Sequence, residues 1–388
     1  MTDPFNFDTP IDRSNTGSVK WDRYKDTDIL PMWVADTDFK APPAVIEALQ
    51  ERAAHGVFGY TRVKERLVEL VVERMQRLYQ WQIKPEWIVW IPGVVGGLNL
   101  ACRSVGDVGS PVMTPAVIYP HFPEAPLQID RPLLPVPMVQ HDKRWIIDLD
   151  WMAENLDGES KLLLFCNPQN PGGSVYSRAE LTRLVELAER HDFVIASDEI
   201  HCDLILEPGL KHIPIASLNT DIERRSITLM AVSKNFNLAG LSSAFAIIPD
   251  RQLRQKFSYQ RVGMINYINL FGLTAMQAAY EYGDDWNQQL VEYLRANRDF
   301  LICEINAIKG LKLDSVEATY LAWIDVSGLG LDNPHRFFEQ AGIGMSPGKE
   351  FGDSGFMRLN FGCPRALLEE AVSRMRNAIN QYWKNQTR

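Results

Sequence analysis

A lysine that directly follows a buried apolar run is the most chemically pointed residue in this sequence. Lys234 and the preceding Ser233 follow residues 227–232, Ile-Thr-Leu-Met-Ala-Val. Desolvation there disfavours the ammonium and leaves a better amine nucleophile. A lysine that packs its stem on the strand end and keeps its head in water is the alternative. Asp198 holds a similar position in Ser197-Asp198-Glu199-Ile200-His201, which closes the run 193–196. A carboxylate at a buried strand end needs a cation or hydrogen-bond donors to offset its desolvation. His201 alone reads more readily as a satisfied core histidine than as a catalytic group.

Anion-binding chemistry is offered elsewhere. Pro92-Gly93-Val94-Val95-Gly96-Gly97 follows the run 87–91 and opens the helix-like stretch 98–105. Such a turn presents free backbone N–H groups at the positive end of a helix dipole, which suits a phosphate; most strand-to-helix glycine turns are nonetheless structural. Asn167-Pro168-Gln169-Asn170-Pro171-Gly172-Gly173 follows the run 161–166. Its prolines and glycines force an irregular loop from which Asn170 can direct an amide N–H, with a plain turn as the alternative. Further on, Arg358 and Asn360 alternate with Met357, Leu359 and Phe361, so the two polar side chains share one strand face. A guanidinium there can take a carboxylate bidentately; a solvent-facing strand is the alternative.

These residues need a frame. The runs 87–91, 112–114, 161–166, 193–197, 226–232 and 244–248 are short and apolar, as strands covered on both faces are. Between two of them, residues 177–191 read as a helix: Ser177 and Glu180 make a capping box, and Leu181, Leu184, Val185 and Ala188 recur at helical spacing. Alternating strands and helices predict an α/β fold with a mainly parallel sheet and ligands at the strands' carboxyl ends. The last third differs, with helices expected over 286–309 and 365–383 and a strand over 320–326. The expected division is a large domain over 46–285, a smaller α+β domain over 286–388, and an N-terminal segment 1–45 attached to the small domain. No repeat and no linker marks the boundary.

Composition bounds the function. Over 388 residues, 46% are hydrophobic and 23% charged, and mean hydropathy is -0.18, as in soluble globular proteins. No apolar run approaches the ~20 residues of a membrane span, so no membrane partner is expected. A net charge of -9 opposes a phosphate-backbone footprint, and no nucleic-acid partner is expected. Residues 1–10 carry Asp3 and Asp8 and lack the basic and apolar regions of a secretory signal, which makes the cytoplasm the expected location. The five cysteines form no CxxC pair. Consecutive His201, Cys202 and Asp203 cannot chelate one ion well from a strand, and no metal is expected.

Taken in order, Asn-Pro-x-Asn-Pro, Ser-Asp-Glu-Ile-His and Ser-Lys-x-Phe-Asn-Leu-Ala-Gly carry a resemblance. So do Leu-Pro-Met-Trp-Val-Ala-Asp-Thr-Asp-Phe at 30–39, Val-Phe-Gly-Tyr-Thr at 57–61 and Met-Arg-Leu-Asn at 357–360. The chain resembles the class I/II aminotransferase-like pyridoxal-phosphate enzymes of fold type I, and within them the MalY/PatB group of cystathionine β-lyases. The resemblance implies that Lys234 carries pyridoxal 5'-phosphate as a Schiff base, that Asp198 pairs with the pyridine nitrogen, and that Tyr119 stacks on the ring. It implies that Asn170 bonds the phenolic oxygen, with His201 where relatives often have tyrosine. The N–H groups of Val94 and Val95 and the Ser233 hydroxyl would hold the phosphate, Tyr60 would reach it from the second subunit of a homodimer, and Arg358 and Ala35 would meet the substrate.

The implied reaction is β-elimination from a cysteine S-conjugate. Transamination is the alternative, and binding of a transcription regulator, known within the MalY group, is another. Departures from the group bear on the substrate: Gly96-Gly97 for Pro-Ala, Gln169 for histidine, and Lys349 for a small residue; Ser242, where many aminotransferases have a phosphate-binding arginine, is usual for the lyase group. The stretch 344–350 falls one residue short of a P-loop.

Overall fold

The computed structural model describes residues 5–386. Residues 1–4, on which part of the signal-segment reading rests, lie outside the described residues. The central sheet is built from Ile88–Ile91 (β1), Val112–Pro115 (β2), Leu133–Val136 (β3), Leu162–Cys166 (β4), Val194–Asp198 (β5), Ser226–Ala231 (β6) and Ala244–Ile247 (β7). Their order across the sheet is β1-β7-β6-β5-β4-β2-β3. Only β7 runs against its neighbours β1 and β6; the other pairings are parallel. The chain is therefore α/β with a mainly parallel sheet.

Side-chain alternation explains why these runs are apolar throughout. In β4, Leu162 and Leu164 join Ile91, Leu98 and Leu229 in a core on one face of the sheet. Leu163 and Phe165 join Leu181, Leu184 and Ile195 on the other. The helix Arg178–His191 supplies that second layer, and its capping box forms as expected: Ser177 accepts from Glu180 N–H and Glu180 accepts from Ser177 N–H.

A second, four-stranded antiparallel sheet is formed by Lys312–Leu313 (β8), Leu321–Asp325 (β9), Ser346–Pro347 (β10) and Phe356–Asn360 (β11), in the order β8-β9-β11-β10. Helices Asp284–Asn306 and Arg365–Gln386 pack near it. Residues Leu30–Pro31 pair in parallel with Ile343–Gly344. A Cβ on Gly283, between two consecutive helices, would lie 2.5 Å from the Ala279 carbonyl and 2.7 Å from the Phe236 ring. The chain passes that point in close contact with its surroundings, which is why no linker composition appears there.

Some elements depart from expectation. The helix expected over 98–105 starts at Val94, directly after Gly93. The edge strand β3 holds Pro135 on the periphery, where a missing N–H is tolerated. The hairpin Met138–His141 with Arg144–Ile147 turns on Asp142 and Lys143, both at positive φ. That turn lacks the Asn-Gly signal that would have announced it. Among the described residues no helix is long and apolar enough to cross a membrane.

Candidate active site

Parallel strands end on one side of a sheet, and here their carboxyl ends border a cavity of about 290 Å³. β1 delivers Gly93 and the helix Val94–Ser104, β4 delivers Asn170 after Cys166, β5 delivers Asp198 and His201, and β6 delivers Ser233 and Lys234. Tyr119 follows β2. Ala35 comes from the N-terminal strap and Arg358 from β11, so two remote parts of the chain close the cavity.

The helix reaches the cavity by fitting tightly on the sheet. A Cβ on Gly97 would lie 2.7 Å from Leu229 Cδ2 and 2.9 Å from Ile91 Cδ1. The second glycine of Gly96-Gly97 thus permits close helix–sheet approach, and the first-turn N–H groups of Val94 and Val95 border the cavity. Gln169 braces the Asn170 loop instead of facing the site: its Nε2 donates to Val117 O at 2.8 Å and its Oε1 accepts from Gly172 N–H. Lys349 is exposed.

Lys234 Nζ donates to Ala35 O at 2.6 Å. The strap carrying Ala35 is fixed from both sides. Asn360 Nδ2 donates to Val34 O and Asp36 O, each at 2.6 Å. Asp38 accepts from Lys20 Nζ at 2.7 Å, Arg13 Nη1 at 2.8 Å and Trp21 Nε1 at 2.9 Å.

Electrostatics follow from burial. Desolvation pushes the Asp198 carboxyl up to about 7, opposed by the Ile200 N–H and the Lys234 charge. Desolvation pulls Lys234 down to about 8, helped by Arg358. Burial also holds the His201 imidazole well below its usual range, hence neutral, and raises the Tyr119 phenol. Arg358 is lowered to about 10 by burial and remains a cation. Its Nη1 donates to Asn170 Oδ1 at 3.1 Å and its Nη2 to Trp33 O at 3.0 Å, with the guanidinium 4.4 Å from the Phe351 ring centroid.

This donor set fits pyridoxal phosphate. A desolvated amine suits its aldehyde, a buried carboxyl its ring nitrogen, and a helix N-terminus its phosphate. Ser243, which the sequence did not single out, lines the same cavity with its Oγ buried and unpartnered. His201 Nδ1 is buried and unpartnered as well. Tyr320 was also missed; its hydroxyl donates to Ala35 O at 3.0 Å. Contacts formed over such sequence distances leave no local pattern. Among the described residues no group of three His, Cys, Asp or Glu side chains is arranged to hold a metal.

Of the residues given a catalytic, cofactor or substrate role from the sequence, Tyr60 alone lies off this cavity. It is fully exposed, in a patch with Phe58, Trp90, Arg261 and Tyr267.

The family model for aminotransferase class I and II matches residues 27–375. The cystathionine β-lyase PatB of Bacillus subtilis (strain 168) is 39% identical over 391 residues, covering 97% of this chain and all of that one. The crystal structure of OvoB superposes with a TM-score of 0.94 at 48% identity, over 97% of this chain and 99% of that one. Cystalysin from Treponema denticola, whose structure contains pyridoxal 5'-phosphate, superposes with a TM-score of 0.93 at 30% identity, over 97% and 99% of the two chains.

Proposed function

From a chain that belongs to the aminotransferase class I and II family, we propose an enzyme that binds pyridoxal 5'-phosphate and cleaves the Cβ–S bond of cystathionine or another cysteine S-conjugate, yielding thiol, pyruvate and ammonia. The observation that carries this reading is one cavity joining a desolvated lysine, a buried aspartate and a buried arginine. Likeness to PatB over the whole chain supports the choice of bond.

When bound, pyridoxal phosphate supplies an electron sink for the pair left at the substrate's Cα. Lys234 would hold the cofactor through its aldehyde and would be the base for the Cα proton at Nζ. Asp198 would pair with the ring nitrogen and favour its protonated form. Asn170, whose Oδ1 is engaged by Arg358, would offer Nδ2 to the phenolic oxygen, beside a neutral His201. Tyr119 would stack on the ring. The N–H groups of Val94 and Val95 and the Ser233 hydroxyl would hold the phosphate. Arg358 would take the α-carboxylate, and Ala35 would border the substrate. The thiolate leaves with little help, since an ordinary thiol has a pKa of about 8.5.

The functional unit in this reading is a homodimer in which Tyr60 completes the partner's phosphate site; its full exposure, beside exposed Phe58 and Tyr267, supports this. The domain division at 46–285 and 286–388 belongs to the same proposal, supported by the separate four-stranded sheet. So does a cytoplasmic location, supported by five cysteines that are all free.

The deciding experiment gives the holoenzyme L-cystathionine without any keto acid. Pyruvate and free thiol should appear, Lys234→Ala should abolish them, and Asp198→Asn should slow turnover by about 10²–10³-fold, the cost of losing one electrostatic stabiliser. A requirement for a keto-acid acceptor, with sulfur retained on the product, would establish transamination instead.

A further inference from the structure

The Ala35 carbonyl accepts two donors at once: Lys234 Nζ at 2.6 Å and the Tyr320 hydroxyl at 3.0 Å. Tyr320 is fully buried immediately before β9, and nothing in the chemistry above uses it. The carbonyl cannot drift to suit either donor. Asn360 holds the carbonyls on both sides of it, at Val34 and Asp36, and Asp38 is pinned by Lys20, Arg13 and Trp21.

We propose that Tyr320 is a positioning residue for Lys234: by occupying one lone pair of the Ala35 carbonyl, it directs the free lysine amine onto the other and weakens the carbonyl's hold on the ammonium. The proposal rests on the reading of Lys234 as the group that takes the Cα proton. A carbonyl oxygen has two lone pairs. A second donor draws on the same electron density, so the oxygen accepts less strongly from the first. A hydrogen bond to the charged form favours that form. Weakening it therefore leaves more of the lysine as free base, and burial already places its titration at about 8, where a small change alters the working fraction. Geometry and basicity are set by the same oxygen.

Competitive acetylation of Lys234 by acetic anhydride in the cofactor-free protein, followed across pH by peptide mapping, reads the amine's titration without any turnover. Tyr320→Phe should raise the midpoint by about half a pH unit. A 3-fluorotyrosine placed at position 320 is a stronger donor and should lower it. In the holoenzyme the acid limb of kcat should move in the same two directions, while KM changes less than kcat does at neutral pH. Tyr176→Phe removes another buried tyrosine hydroxyl, one that accepts from Ile147 N–H at 2.9 Å away from the cavity, and should move neither curve. A Lys234 midpoint unchanged or lowered in Tyr320→Phe overturns the proposal. Should that variant not fold, the fluorotyrosine protein, which keeps ring and hydroxyl, decides alone: a midpoint that does not fall overturns it. If no S-conjugate is turned over by the wild-type holoenzyme, the lyase reading falls, and the acetylation curves still decide the role of Tyr320.

Discussion

Arg358 Nη1 donates to Asn170 Oδ1 across 3.1 Å, joining the cation proposed for the substrate's α-carboxylate to the amide proposed for the cofactor's phenolic oxygen. One hydrogen bond thus links the two ligand positions. A carboxylate on the guanidinium polarises the arginine, and the amide feels it through the shared oxygen. The bond also fixes the amide's orientation, since its oxygen must face Arg358 and its nitrogen is left for the proposed contact with the ring.

Arg358→Lys keeps the charge but loses the planar fork and the contact to Asn170. Losing a hydrogen bond to a charged group costs about 1.5–3 kcal/mol. The expected result is a fall in kcat/KM of roughly 10–100-fold with cofactor content unchanged. Steady-state kinetics with absorbance of the bound cofactor checks both.

Lys234 should reduce the stability of the cofactor-free protein. Its pKa is lowered from 10.5 to about 8 by burial, so the unfolded chain binds more protons between those values. Wild-type stability should therefore rise with pH through that window. Lys234→Met removes the buried ammonium, so the variant should be more stable than wild type at pH 7 by about 3 kcal/mol, an advantage that shrinks from pH 8 and is gone above 10.5. Denaturant melts of both cofactor-free proteins at pH 7 and pH 10.5 test the sign.

Much of the sheet was legible because the fold asks one thing of each central strand: apolar side chains on both faces and a polar group at the carboxyl end. Lys234, Asp198 and Asn170 break apolar runs at that place, and strand direction alone brings them together. β3 was not legible, since an edge strand tolerates the Pro135 that argues against a strand elsewhere. Ser243 and Tyr320 were not legible either. A serine nine residues past a lysine and a tyrosine before a strand look ordinary until the chain folds Ala35 and β7 around them. Arg358 stood between, since alternation in β11 gave its face and left open what that face meets.

Tyr60 has no role in its own chain's cavity and is fully exposed. A homodimer that seats it against the partner's phosphate predicts two chains by sedimentation. Tyr60→Phe should then lower affinity for pyridoxal phosphate about tenfold, the cost of one hydrogen bond to a charged group. Equilibrium titration of the cofactor measures the loss, and unchanged affinity would remove Tyr60 from the site.

Ser243 is expected to donate to the cofactor's phosphate and to no other part of it. Its Oγ is buried at the cavity wall with no hydrogen-bond partner in the protein, so its removal breaks no hydrogen bond within the protein. Ser243→Ala should therefore leave the melting temperature of the cofactor-free protein no lower than that of wild type. The same change should weaken binding of pyridoxal phosphate about five- to tenfold, the effect of one hydrogen bond, and leave the affinity for pyridoxal, which has no phosphate, unaltered. Paired titrations with the two ligands give the comparison. Equal losses for both would mean that Ser243 shapes the cavity without touching the phosphate, while a loss confined to the phosphorylated ligand, in a protein that melts no lower, has no explanation in packing alone.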